Sequence, residues 1–292
     1  MEILKNQKLE IKIDKLGAQL KSIKDKENIE YLWTANEKYW ARHAPILFPI
    51  VGKVKENKYT VDNKEYNLNQ HGFARDSEFE ILKNEDDILI YKLKYNEESL
   101  KKYPYKFELL IEYKLIDNKL QIKYKVNNLD DKKIYFSIGA HPGFNCPLLE
   151  GEKFEDYYLE FDKKENLKRK MVDNKLGLYT GEYKEFMEEQ KIINLNRELF
   201  IDDAIVFKDF DSSKISLKNN KNQKIISMNF EGFKYLGIWT KTDDAPFICI
   251  EPWYGCADQI DFAGEFKDKE GIIALDKKEV FECKYDIIIE HI

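Results

Sequence analysis

Apolar and polar residues alternate along most of this chain. In LEIKI, Leu9, Ile11 and Ile13 fall on one face and Glu10 and Lys12 on the other, the period of two expected of a half-buried β-strand. The same alternation runs through FELLIEYKLIDNKLQIKYKV, residues 107–126, and breaks only near Asp117-Asn118. That predicts two antiparallel strands joined by a tight turn. KYTVDNKEYNL, residues 58–68, reads as a hairpin turning at Asp62-Asn63. KIYFSIGA, residues 133–140, is richer in apolar positions and predicts one strand buried on both faces. KISLK, QKIISMNF, YLGIWT, FICIEPW and EVFECKYDIIIE add further strands. Helical signals are few: NEESLKKY, with Asn96 as N-cap and acidic residues behind it, and a second short helix expected over residues 182–190.

Many strands at roughly 8–12-residue spacing with few helices predict an all-β fold, a large sandwich or barrel. No linker or repeat divides the chain, so residues 1–292 are expected to form one domain. Hydrophobic residues are 43% of the chain, with eighteen Tyr and eighteen Phe, enough for a sizeable core. Charged residues are 35%, but the signs are interspersed and the net charge is −6, without the basic stripe of a nucleic-acid binder. No apolar run approaches the roughly 20 residues of a membrane span. The N-terminal residues alternate rather than form a signal-peptide core. A soluble cytoplasmic protein is therefore expected. Cys146, Cys249, Cys256 and Cys283 form no C-x-x-C pair and read as reduced structural thiols. Nothing demands a dimer over a monomer.

Three strand ends carry candidate chemistry. NQHGFARD contains His71 and Arg75; SIGAHPGFN contains His141; FICIEPWYG contains Glu251 at the end of an apolar run, where partial desolvation would raise its pKa. Each has a structural alternative. A histidine at a strand end can be a packing residue, and Glu251 can be an ion-pair partner of Arg75. A zinc site of His43, His71 and His141 lacks a short-spaced ligand pair. No G-x-S-x-G elbow is present. Read by themselves, the residues define a candidate acid/base site on a β scaffold.

At these positions the chain resembles the aldose 1-epimerase (galactose mutarotase) superfamily, in its LacX-like bacterial branch. The resemblance rests on four ordered elements: HGFAR (residues 71–75), GAHPGFN (139–145), DDAIVF (202–207) and ICIEPWYG (248–255). It implies an antiparallel β-supersandwich with an open sugar cleft and neither metal nor organic cofactor. It also implies roles: His141 as general acid, Glu251 as general base, His71 near the sugar ring oxygen, and Asp203, rather than Asp202, holding hydroxyls. Many relatives carry an arginine where this chain has Lys53, which keeps the charge but loses the planar fork. Arg75 and Arg42 are the candidates to replace that contact.

Mutarotation opens a hemiacetal and recloses it at C1. It needs a proton taken from the anomeric hydroxyl and another given to the ring oxygen, with no nucleophile or redox centre. A carboxylate and a histidine, its ordinary pKa about 6.5, suit that pair when held apart by the sugar. Trp253 and Tyr254 are candidates to stack on the pyranose or, equally, to pack in the core. The alternatives are a non-catalytic sugar-binding module on the same scaffold and a sugar-phosphate mutarotase, which would need several cations around the cleft.

Overall fold

The computed structural model describes residues 1–221 and 223–291. The fold is all-β. Among the described residues, nine antiparallel strands form the larger sheet, in the spatial order Leu178–Asn194, Tyr157–Asp173, Lys214–Asn219, Lys224–Asn229, Val280–His291, Lys119–Asn128, Phe107–Ile116, Ile88–Lys94, Glu80–Glu85. A six-stranded sheet carries the candidate chemistry. Its order is Ile205–Lys208, Tyr235–Trp239, Phe247–Tyr254, Ile138–Ala140, Ile46–Leu47, with Gly143–Asn145 also pairing to Phe247–Tyr254. Glu2–Lys5, Leu9–Ile13 and Leu20–Asp25 make a separate three-stranded sheet.

The predicted alternation sets the register of the large sheet. Leu109, Ile111, Tyr113 and Leu115 pair with Val126, Tyr124, Ile122 and Leu120, and all eight are buried. A one-residue slip would turn the whole set to solvent, so burial holds the register. Asp62 and Asn63 both adopt positive φ, 50° and 61°, the conformation of a two-residue hairpin turn that Asp and Asn tolerate. The helix Glu97–Lys102 begins as expected, with Asn96 and Ser99 forming a capping box.

Two expectations give way to the tertiary structure. Residues 182–190 are not helical but lie within the strand Leu178–Asn194, at the edge of the nine-stranded sheet. Strong local helix formers yield there to pairing with the long strand Tyr157–Asp173. Their exposed Glu and Lys side chains suit an edge that must not recruit another strand. The stretch 133–140 is two strands. Ile134–Phe136 pairs with Ile273–Leu275, and Ile138–Ala140 joins the six-stranded sheet. Between them buried Ser137 donates its backbone N–H to Pro49 O at 2.8 Å, and its hydroxyl accepts from Val51 N at 3.0 Å. Those bonds satisfy backbone where the chain changes sheets.

All four cysteines are free and buried, as expected of structural thiols. No described helix is long and apolar enough to cross a membrane.

Candidate active site

His141, Glu251, His71, Arg75 and Asp203 line one cavity of about 340 Å3. The six-stranded sheet builds it. Glu251 stands mid-strand opposite Gly237, and Trp253 opposite Gly139 and Tyr235. Both glycines are needed for space: a Cβ at either would sit 2.5 Å from the Trp253 indole. Their bare backbone lets the indole lie along the cavity wall, where its Nε1 donates to Ala140 O at 3.2 Å. His141 follows the strand Ile138–Ala140, and the chain then turns at Pro142 to pair Gly143 with Cys249. The imidazole thus meets the carboxylate on the neighbouring strand.

His141 Nε2 and Glu251 Oε2 are 3.2 Å apart, within ion-pair range but off hydrogen-bond geometry. Glu251 is 1% exposed and His141 8%. Burial pushes the Glu251 carboxyl well above its ordinary range, with the Asp203 charge adding to the effect. Burial pushes the His141 imidazole down to about 3, and Arg75 and Arg42 add to the effect, while the residue's own backbone works the other way. Both shifts favour the uncharged forms, a protonated Glu251 carboxyl beside a neutral His141 imidazole, so together the two groups hold one proton. The ordinary imidazole value of about 6.5 does not hold for His141, because desolvation outweighs what favours its charge. The expectation of two separated groups meets a pair in contact.

Rings hold His141 in place. Trp40 stacks on it at 4.8 Å and 27°, Trp239 meets it edge-on at 5.8 Å, and His71 edge-on at 5.6 Å. Sequence reasoning missed Trp40, which lies in an irregular segment with no periodic signal. It also gave no role to Trp239, at the end of an otherwise ordinary apolar strand.

His71 has φ 66°, and the following Gly72 has φ 70°. A Cβ on Gly72 would come 2.3 Å from Phe48 O, so only glycine fits this corner. His71 Nδ1 accepts from Gly52 N at 3.1 Å, which places the neutral ring's hydrogen on Nε2, so the adjacent Gln70 carboxamide can accept from it only through its oxygen, with the amide flipped. Burial holds this imidazole well below its ordinary pKa, and His141, Arg75 and Arg42 reinforce the effect. A folded-state pKa below the unfolded value means stability is lost as pH falls through about 6.5, by about 1.4 kcal/mol per pH unit for one such group. The His141–Glu251 pair adds little slope near pH 5.5, since its opposite shifts leave about one proton bound in both states. His71→Asn is therefore expected to flatten the loss of urea-unfolding free energy between about pH 6.5 and 5 by nearly one proton's worth. Asn accepts the left-handed backbone there. An unchanged slope would refute the assignment.

Arg75 lines the cavity, donates to Gln70 O at 2.7 Å and lies 3.7 Å from Asp76. Its buried Nε has no hydrogen-bond partner, and burial lowers its pKa to about 10. Arg42 binds Asp76 at 2.8 Å and is not among the cavity-lining residues. Nor is Lys53, whose ammonium donates to Leu176 O at 3.0 Å. His43 is also apart, its Nδ1 2.7 Å from Trp33 O, so the three histidines do not converge as a zinc set. Of the two aspartates, Asp203 lines the cavity and Asp202 does not. Asp203 sits at φ 67°, its Oδ1 accepting from Ala204 N at 2.8 Å. Buried Arg169 donates to the carbonyls of Leu199, Asp202 and Asp203 and so holds this loop, a contact no sequence signal announced. Trp253 borders the cavity as anticipated, whereas Tyr254 packs on Phe233 and Phe281 instead.

The cavity thus gathers a histidine and a glutamate in contact, three indoles, Arg75, His71 and Asp203 on an antiparallel β scaffold. The chain belongs to the aldose 1-epimerase family, whose model matches residues 2–274. It is 36% identical over 294 residues to the plasmid-encoded protein LacX of Lactococcus lactis subsp. lactis, covering 98% of each chain. Among solved structures, a galactose mutarotase related enzyme from Lactobacillus acidophilus superposes with a TM-score of 0.93 at 33% identity, over 99% of this chain and 96% of that one. A galactose mutarotase-like protein from Lactobacillus casei gives 0.94 at 31%, over 99% and 100%.

Proposed function

We propose that this protein is an aldose 1-epimerase acting on an unphosphorylated hexose. The contact between His141 and Glu251 carries the reading. The anomeric hydroxyl and the ring oxygen are attached to the same carbon, within one O–C–O angle. A one-proton pair 3.2 Å across can therefore engage both at once. Once the proton has passed from the Glu251 carboxyl to His141 across their 3.2 Å contact, Glu251 takes the hydroxyl proton while His141 gives its proton to the ring oxygen, and the ring opens. Rotation about C1–C2 and the reverse transfers close it with the other configuration. The proton count on the pair is unchanged over the cycle, so no outside acid or base is consumed.

His71, through Nε2–H, and the Arg75 guanidinium donate to sugar oxygens, and the Asp203 carboxylate accepts from hydroxyls. Trp40, Trp239 and Trp253 offer apolar faces to the pyranose. Asp203 and a single cation, Arg75, line this cavity among the described residues. That balance suits a neutral polyol, whereas a phosphate dianion would want further cations that Arg42 and Lys53, bound elsewhere, do not supply. Lys53 therefore drops out as a sugar ligand in this reading.

The test follows anomer exchange by NMR for glucose, galactose and glucose 6-phosphate with pure protein. Acceleration of a neutral hexose is expected, with the phosphate the poorer substrate. A preference for the phosphate would overturn the substrate class. Sugar binding by calorimetry without any acceleration would make the protein a binding module instead.

A further inference from the structure

Alternate residues of a strand share a face. The face of Phe247–Tyr254 that presents Glu251 therefore also presents Cys249, which pairs with Gly143 on one side and Trp239 on the other. His141 lies two residues before Gly143, which brings imidazole, thiol and carboxylate together. One ligand atom from each of His141, Cys249 and Glu251 lies within 4.8 Å of the other two, and all three residues are buried. Two buried atoms in this group, His141 Nδ1 and Glu251 Oε2, lack any hydrogen-bond partner. The mechanism above makes no use of the thiol.

We propose that His141, Cys249 and Glu251 form an inhibitory binding site for a thiophilic divalent cation of the zinc class. Imidazole nitrogen, thiolate and carboxylate oxygen are the donor types zinc accepts, at about 2.0–2.3 Å from the ion. Donors around one such ion lie about 3–4 Å from each other, so a contraction of about 1 Å closes the triangle. Thiolate and carboxylate together balance the dication, and a neutral set is what a buried site tolerates. The sulfur selects against magnesium and calcium, which take oxygen ligands. The fourth coordination position opens to the cavity, because His141 and Glu251 both line it. A water or a sugar hydroxyl completes the tetrahedron there. The bound ion occupies both proton-transfer groups and stops mutarotation. That last consequence rests on the proposed epimerase activity; binding of the ion does not.

The test uses the full chain, stripped of metal with a chelator and titrated with Co2+. A thiolate-to-cobalt charge-transfer band in the near ultraviolet is expected in the parent protein and in Cys256→Ala. It should be absent from Cys249→Ala and Cys249→Ser, the second keeping the volume if the first does not fold. Added Zn2+ should bleach the band. In the NMR exchange assay, saturating Zn2+ should slow the parent at least about tenfold and leave the Cys249 variants within about twofold of their metal-free rates. No thiolate band in the parent, or the same band in the Cys249 variants, overturns the site. A metal-free protein that exchanges no anomers defeats the functional reading alone, while the spectra still decide the ion site.

Discussion

Glu251→Gln lowers the anomer-exchange kcat by about 10²–10⁴-fold while sugar binding and the fold persist. Glutamine keeps the shape of the side chain, so the packing between Gly237 and His141 is retained. In the proposed reaction it removes the group that takes and returns the hydroxyl proton. It also removes the shared proton that burial keeps on this pair. The effect belongs in kcat, because proton transfer happens in the transition state and the hydroxyl contacts that set ground-state affinity lie on other residues. Line-shape or exchange NMR on the anomeric protons gives the rate, calorimetry the affinity, and circular dichroism the fold. Activity within about tenfold of the parent would remove Glu251 from the chemistry.

His141→Asn produces a loss of the same order, about 10²–10⁴-fold, and the double variant loses little more than either single one. Non-additivity is the signature of two groups sharing one proton; independent contributions would multiply. Asparagine is smaller than the imidazole that Trp40 covers, so some affinity is lost as well. The parent's pH profile carries the same distinction. Independent groups with ordinary pKa values would need Glu251 ionised, and the rate would fall several-fold by about pH 4. On the acid side the one-proton pair loses activity when it takes up a second proton, for which burial sets the His141 pKa near 3. Measured kcat/KM is therefore expected to hold nearly level from about pH 6 to 4, over the range where circular dichroism shows folded protein. A clear fall near pH 4.5 would separate the two groups again.

Much of the scaffold is readable in the chain. The alternation in residues 107–126 and the Asp62-Asn63 turn are local signals, and backbone sterics and single-face burial leave them few outcomes. The helix expected at 182–190 was misread because its composition favours helix while its long-range partner, Tyr157–Asp173, is invisible to local reasoning. Ser137 hides for a similar reason: its bonds to Pro49 and Val51 change the sheet without breaking the apolar run.

For the site, the chain alone determined which residue types were present for acid/base chemistry and the short segments that carry them. Strand periodicity and the Gly-containing corners are written locally. Tertiary structure decided everything that depends on distance and dielectric. It put Glu251 against His141, set Asp203 on the cavity wall, and gave Lys53 to Leu176 O. It lowered the pKa of the histidine, since desolvation arises from neighbours that are distant in sequence. It also brought Cys249 within 4.8 Å of the pair, because strand pairing sets neighbours by register and sequence separation does not enter.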